Sequence, residues 1–405
     1  MQDLKDKLTQ TPVFYITRDI ERALALDTAI PDYFIISNYS KSFKPVDNKN
    51  ILLIKEKEPL DTWQLLKNKK VQNFLNDYKN PNILVFKPTK QIERICTDNN
   101  WNLLNPSAEL SNKIEEKISQ LDWLGSLKKY LPNYSVKLCR NIEWKKEKFI
   151  LQFNRSHTGS GTILIESNKQ LEKIKNKFPE REARLAKYIE GPLFTNNNIV
   201  TKNKTLIGNI NYQITGLQPF TDLPFATIGN DWGFPDKYLD KEQAKQYKKI
   251  VTEIGEKLRT DGWKGLFGVD IVIEESTGKL YLVEINARQP ASTTYESQLQ
   301  QSQNTKHRTH ITTFEAHLAS LLDIDLSNYN LIEIKNGAQI IARNTYHVTH
   351  ITPDTIDRLK KENFILTKYN NIKPGSDLLR IQSKGSIIKD HDEFNELGKK
   401  ILEKI

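Results

Sequence analysis

At 405 residues, the chain exceeds what one ordinary hydrophobic core organises, so two or three packed units with a cleft between them are expected. Charged residues at 27% and hydrophobic ones at 38% exclude a disordered or fibrous class. The formal charge of +10 comes from scattered lysines and not from a basic stripe interleaved with aromatics, so no nucleic-acid partner is expected.

The surplus of Lys, Asn and Ile reads as the residue bias of an AT-rich genome. No apolar run approaches the ~20 residues that span a bilayer, and the polar opening MQDLKDKLTQ lacks the apolar stretch of a secretory signal. A cytoplasmic protein without a membrane partner is therefore expected. Cys96 and Cys139 are far apart and show no ligand spacing, which suits two buried free thiols.

Val13 to Ile16, Tyr33 to Ile36, Ile51 to Ile54 and Ile83 to Phe86 are short apolar runs between helix-compatible stretches. They predict buried parallel strands of an α/β layer. Thr17, Arg18 and Asp19 follow the first, where open parallel sheets often bind ligands. From Glu109 to Tyr130 the spacing of Leu110, Ile114, Ile118 and Leu121 predicts one helix, ended by Pro132.

Phe149 to Phe153 and Ile163 to Ile165 predict a hairpin whose tip is the loop NRSHTGSGT, and a helix with Leu171 and Ile174 follows. Ala186 to Pro192 predicts a strand that ends at a turn. Further strands are expected at Ile199–Val200, Ile207 to Ile210 and Leu266 to Ile273, with a long helix from about Lys241 to Thr260. The tail from about Leu331, with a strand at Ala338 to Ala342, predicts a small α+β unit.

The stretch from Gly265 to Thr293, GLFGVDIVIEESTGKLYLVEINARQPAST, carries the chemistry. Two strands flank a turn at Ser276, Thr277 and Gly278. Side chains two apart on a strand share a face, so Glu284 and Asn286 point together and Asp270 on the paired strand joins them. Hard oxygen ligands with few carboxylates suit magnesium, which takes its remaining ligands from water and phosphates. Arg288, two residues on, is placed to reach a transferring phosphoryl or acyl phosphate group. A surface hairpin with ordinary charges would not interrupt its apolar flanks at these positions.

The run Glu284-Ile285-Asn286-Ala287-Arg288 resembles the E-x-N-x-R signature of the ATP-grasp superfamily, in particular its biotin-carboxylase and carbamoyl-phosphate-synthetase-like branch. Asp270 stands where that family places an earlier acidic metal ligand. Glu116-Lys117 resembles the helical pair whose lysine reaches the nucleotide phosphates. NRSHTGSGT, with Gly159, Ser160 and Gly161, is similar to the Gly-rich lid over the triphosphate, and His157 within it reads as a polar lid residue. Lys187-Tyr188-Ile189-Glu190 resembles the hinge that holds adenine. The resemblance spans about residues 105–320.

It implies an α/β fold (α+β ATP-grasp) in three parts. These are an N-terminal parallel α/β domain over 1–108, an ATP-grasp domain over 109–325 with its lid at about 146–185, and a small C-terminal α+β unit over 326–405. It also implies ATP and Mg2+, with Mn2+ as a substitute, and a carboxylate-amine ligase that forms a carbon–nitrogen bond through an acyl phosphate. Small-molecule carboxylate and amine substrates are expected, an amino acid or peptide first among them, and a homodimer is compatible. A biotin-carboxylase-like enzyme and a non-catalytic ATP-binding regulatory protein are the alternatives.

One departure is Gln152, on the strand entering the Gly-rich loop, where the family usually has a lysine. Glutamine can donate a hydrogen bond but supplies no charge, so Arg155 or another cation would have to compensate. Gly229 to Gly233, Arg288 and Gln289 to Tyr295 are candidates to line the substrate pocket, with Trp232 equally well a core residue.

Overall fold

The structure, a computed structural model, describes residues 2–40, 43, 48–154, 161–303, 309–369, 371 and 373–405. After α1 (Gln2–Gln10), the predicted apolar runs form β1 (Val13–Thr17), β2 (Tyr33–Asn38), β3 (Ile51–Ile54) and β4 (Asn82–Val85), joined by β5 (Asn102–Leu103). All pair in parallel, in the order β3-β2-β1-β4-β5.

Phe14, Ile16, Phe34 and Ile36 pack with Leu65 of α2 (Thr62–Lys67), Leu75 of α3 (Lys69–Asn76) and Ile92 of α4 (Lys90–Asp98). Tyr15, Tyr33 and Ile35 turn the other way, onto Phe314 and Leu318 further along the chain. A sheet covered on both faces explains why these strands read as unbroken apolar runs. Connections run in opposite directions from β1, so the carboxyl ends of β1 and β4 flank a topological switch point. Thr17, Arg18 and Asp19 lie there, and so do Phe86 and Lys87.

The single helix expected from Glu109 to Tyr130 is instead α5 (Ala108–Glu115), α6 (Ser119–Leu124) and a 3-10 turn from Gly125 to Tyr130. Glu116 is extended, with φ −70 and ψ 129. The backbone N–H groups of Lys117 and Ile118 leave the helical ladder and donate to the Asn154 carbonyl at 3.1 Å and to its Oδ1 at 2.8 Å. Helical periodicity runs through this break because Ile114 and Leu121 remain buried on either side of it.

The segment expected as a lid at about 146–185 lies within a wider four-stranded unit, here called the lid, made of β6 (Tyr134–Leu138), β7 (Phe149–Phe153), β8 (Thr162–Ile165), α7 (Asn168–Lys177) and β9 (Glu182–Lys187). Its strands are antiparallel in the order β6-β9-β7-β8. Leu151, Ile165 and Ala183 pack with Leu171 of α7, which leaves the alternate residues on the opposite face. The strand expected from Ala186 to Pro192 stops at Lys187. Gly191, at φ +145, then brings the chain so close to the main sheet that a Cβ there would stand 2.0 Å from the Ile273 carbonyl oxygen.

The main sheet draws on β10 (Leu193–Val200), β11 (Thr205–Leu206), β12 (Asn211–Thr215) and β13 (Thr227–Asp231). Beyond α8 (Pro235–Tyr238) and α9 (Lys241–Thr260) come β14 (Gly265–Ile273) and β15 (Leu280–Asn286). Next are α10 (Thr293–Ser302), β16 (His310–Ile311), α11 (Thr313–Leu321), β17 (Asn330–Leu331), β18 (Ala338–Arg343), α12 (Pro353–Lys361), β19 (Ile365–Lys368) and β20 (Asp377–Ser383). Ile207 to Ile210 is not a strand: the Asn198 side chain accepts the Gly208 N–H at 2.9 Å, and Asn209 donates to the Ile332 carbonyl at 3.0 Å.

The sheet order is β15-β14-β10-β12-β13-β18-β20-β19, with β11 beside β10. The tail therefore builds no large sheet of its own. β18 pairs with β13, extending the core sheet across an edge that would otherwise be left open. Phe194, Phe267 and Ile271 pack with Tyr247, Ile250 and Ile254 of α9, which opens with an Asp240–Gln243 capping box.

Trp232 is a core residue, packed with Tyr295, Leu299 and Ile334. Cys96 and Cys139 are both buried and free. Among the described residues, no helix is long and apolar enough to cross a membrane.

His317 on α11 joins the two large units. Its Nδ1 accepts the Leu266 N–H at 3.0 Å, and Gly265 alone leaves it room, since a Cβ there would lie 2.4 Å from that nitrogen. Burial lowers its pKa to about 3. The unfolded chain therefore takes up the proton first, and the neutral ring's stability, complete above about pH 6.5, is lost as pH falls. The deficit at pH 5 is about 2 kcal/mol. His317→Asn should remove most of this fall between pH 7 and pH 5 in urea denaturation; an unchanged slope would show that His317 is not its source.

Candidate active site

The β14–β15 hairpin brings Asp270 opposite Glu284, and Gly268 opposite Asn286, with a bulge between Asp270 and Ile271. Asn286 donates to Asp270 Oδ2 at 3.2 Å. Thr195, in register with Asp270 on β10, also hydrogen-bonds its carboxylate. The hairpin thus brings together the three side chains that the sequence pattern singles out, with Asn286 presenting its amide nitrogen to Asp270.

Asp270 is only 6% exposed. Burial, and then the negative charge of Glu284, raise its pKa against the pull of Thr195, Lys117 and Asn286. Glu284 is pushed up by burial as well, but Lys117, Arg288 and Lys87 outweigh that and hold it below the usual carboxylate range. Two carboxylates facing each other in a partly desolvated site are electrostatically incomplete, and a small hard cation would relieve the repulsion. Among the described residues no three His, Cys, Asp or Glu side chains group as a metal cage. Two carboxylates and an amide thus fit a cation that takes its other ligands from water and phosphate.

Lys117 is delivered by the break between α5 and α6. It is 5% exposed, and its Nζ lies 2.8 Å from Glu284 Oε1. Asn154, which holds the Lys117 backbone, also donates to Glu116 Oε2 at 2.9 Å. The lysine is thereby tied to the strand end that leads into the lid loop.

Arg288 forms an ion pair with Glu115 at the end of α5, and Lys87 pairs with the same carboxylate from the switch point beyond β4. Ser111 Oγ donates to the Ala287 carbonyl at 2.7 Å, and Gln289 N–H to the Phe86 carbonyl at 3.3 Å. Two separate parts of the chain, α5 and the segment beyond β4, therefore hold Arg288 and its neighbours in place.

On the lid, Gln152 of β7 is buried and donates to Thr162 Oγ1 at 3.2 Å. Gly161 is described and buried. His157, Gly159, Ser160 and Arg155 lie outside the described residues. Lys187 is half exposed and pairs with Glu274 at 2.7 Å. Tyr188, Ile189 and Glu190 follow β9, and the Glu190 carbonyl accepts the Glu275 N–H at 3.0 Å. Lys187 and Glu190 thus sit at the lid–core junction, beside the two residues that follow β14.

From the carboxylates, the same face of the sheet continues as a row of polar side chains. Asn230 donates to Asn211 at 2.8 Å, and Gln339 donates to Asn230 at 3.0 Å. Gln382, in register with Gln339, and then Arg380 complete it. Burial opposes the Arg380 charge, yet Tyr369, Glu21, Asp377 and Asp19 hold its pKa above the usual value. The row thus ends beside the segment that follows β1.

Sequence reasoning missed Glu115, Lys87, Thr195 and, of the polar row, Asn211, Gln339, Gln382 and Arg380; Asn230 falls within the Gly229 to Gly233 candidates. Lys87 had a signal, since it follows a strand at the switch point. Glu115 had none, because its value depends on cations from two distant segments.

Residues 114–292 match a family model described as an ATP-grasp domain. No curated protein matches the sequence. N5-carboxyaminoimidazole synthetase from Staphylococcus aureus, complexed with ADP, superposes with a TM-score of 0.65 at 14% identity, covering 97% of each chain. L-amino acid ligase from Bacillus licheniformis gives 0.65 at 12% identity, over 97% of this chain and 96% of that one. The biotin carboxylase domain of the Hydrogenobacter thermophilus 2-oxoglutarate carboxylase gives 0.64 at 11%, over 93% and 86%. At these identities the likeness establishes a shared fold, with the N-terminal layer and the C-terminal strands included.

Removing Glu115 leaves two neighbouring cations without their common partner. Breaking a buried pair costs several kcal/mol, but Arg288 and Lys87 are partly exposed, so Glu115→Ala should cost about 2 kcal/mol. Chemical denaturation of the purified variant checks this; a loss within error of zero would show that the cluster does not brace the site.

Proposed function

We propose, from the match of residues 114–292 to an ATP-grasp domain model, that the chain is an ATP-dependent ligase that activates a carboxylate as an acyl phosphate and joins it to an amine. The observation that carries this reading is the convergence of Asp270, Glu284, Asn286 and Lys117, with Arg288 held beside them.

Glu274, the residue after β14, follows Asp270 by four positions, about 13 Å of extended chain. That spacing suits a nucleotide with adenine at Lys187, Tyr188, Ile189 and Glu190 and phosphates at the carboxylates. Asp270, Glu284 and Asn286 would hold magnesium, which when bound neutralises phosphate charge. Lys117, now on Glu284, is positioned to turn its ammonium to the phosphate chain. Gln152, Gly161 and, in the same loop, His157, Gly159 and Ser160 are assigned to the phosphate chain on the sequence resemblance.

The chemistry asks the chain for positioning and charge stabilisation more than for a nucleophile. A substrate carboxylate oxygen takes the γ-phosphoryl group and ADP leaves. An amine then attacks the acyl carbon, loses a proton and expels phosphate. Arg288 is the catalytic cation of this scheme, placed to stabilise negative charge on the transferring phosphoryl group and on the acyl phosphate. The polar row from Asn211 to Arg380 supports a small substrate carrying both charge and hydrogen-bonding groups, and an amino acid or short peptide has that chemistry.

Phosphate release from MgATP, measured with pooled amino acids, dipeptides and small carboxylic acids and with product masses read from the same wells, tests the reading. Substrate-dependent release with a new condensed mass supports it. Nucleotide binding with no turnover in any pool supports a non-catalytic ATP-binding protein, and release stimulated by bicarbonate alone supports a carboxylase-like reaction. Asn286→Ala should lower turnover by about a hundredfold or more with little change in folding, whereas Glu284→Ala should lower turnover at least as much and also cost stability, because it leaves the buried Lys117 without its partner. Arg288→Ala should lower turnover while leaving nucleotide affinity within about threefold; collapse of affinity instead would reassign it to nucleotide binding.

A further inference from the structure

Arg184 has no part in the scheme above, yet its position is unusual. It stands on β9 in register with Gln152 of β7 on one side and Val136 of β6 on the other. Its neighbour Ala183 turns into the lid core beneath α7, with Leu185 packed against that core. Strand alternation therefore sends Arg184, with Gln152, to the opposite face.

On that face Arg184 is 1% exposed, and its Nε and Nη1 have no hydrogen-bond partner among the described residues. The Tyr134 ring lies 5.8 Å from its guanidinium carbon. Burial lowers its pKa to about 10, while Tyr134 and Glu284 pull the other way. Asn154, two residues beyond Gln152, holds the backbone of Lys117, whose ammonium is on Glu284, so this end of the lid lies against the metal-candidate hairpin whose charge acts on Arg184.

A buried guanidinium with unpartnered N–H groups is costly unless an anion completes it. Glu284 is already paired with Lys117. Gln152 beside Arg184 carries no charge, and its amide is engaged with Thr162. The arrangement thus holds a desolvated cation, two free donors and a direction, facing the place where the ATP reading puts the phosphates.

We propose that Arg184 binds the phosphate chain of the nucleotide, supplying from β9 the positive charge that Gln152 does not supply from β7. This assignment rests on the ATP-site reading and adds a specific phosphate ligand to it. A planar guanidinium presents paired donors to phosphate oxygens.

Binding of MgADP and of adenosine to the full chain, by competition with a fluorescent adenine nucleotide, tests it. Arg184→Gln should weaken MgADP about tenfold or more, the worth of one charge-assisted contact, and leave adenosine unchanged. Moving the cation to the neighbouring strand, in the double variant Gln152→Lys with Arg184→Gln, should restore most of the MgADP affinity. A packing role predicts no such rescue and an equal loss for adenosine, and either result would overturn the assignment. So would wild-type MgADP affinity in Arg184→Gln. If the wild-type chain binds neither ligand, the ATP-site reading itself fails and Arg184 falls with it.

Discussion

The ion pair between Lys117 and Glu284 is the contact on which the arrangement of the site depends. It exists because the helix that begins at Ala108 stops at Glu115, and because the next two free N–H groups are taken by Asn154 at the root of the lid loop. One short extended segment thereby connects α5, the lid and the main sheet. A continuous helix would carry Lys117 around its surface, with no backbone link to the lid. The α-helical ladder and the lid attachment compete for the same donors, and here the attachment prevails.

The main sheet is divided by chemistry. One face, built by Phe194, Phe267 and Ile271, buries apolar area against α9 and supplies stability. The other carries Asp270, Thr195, Asn211, Asn230, Gln339 and Arg380 in buried or nearly buried positions, where each polar group needs a partner. Many partners are neighbours in the same row. The period of two in a strand makes this possible, because a single strand such as β14 serves a core and a site at once. The C-terminal strands contribute to both faces, which makes them part of the cleft and not an appendage.

Much of this was legible locally. The four parallel strands, α9, the β14–β15 hairpin and the joint orientation of Glu284, Asn286 and Asp270 all follow from short-range periodicity, since each depends on residues close in sequence or on one strand pair. The helix break at Glu116 was not legible, because Ile114 and Leu121 preserve an apolar stripe across it. The partnership of Arg288 with Glu115 was equally hidden, since the three members of that cluster come from Lys87, Glu115 and Arg288. Arg184 is an intermediate case: a charged residue between Ala183 and Leu185 on a strand marks a second face, but only the lid topology shows what that face looks at.

By itself the sequence determined the α/β class, the order of the elements and the identity of the chemical groups, because secondary structure and strand facing are short-range consequences of side-chain pattern. The tertiary structure alone decided which distant groups share a dielectric environment. It brought Lys117 to Glu284, left two buried nitrogens of Arg184 without a partner among the described residues, and extended the core sheet through the tail. Burial and charge pairing are set by neighbours that lie far apart along the chain, and no local period encodes them.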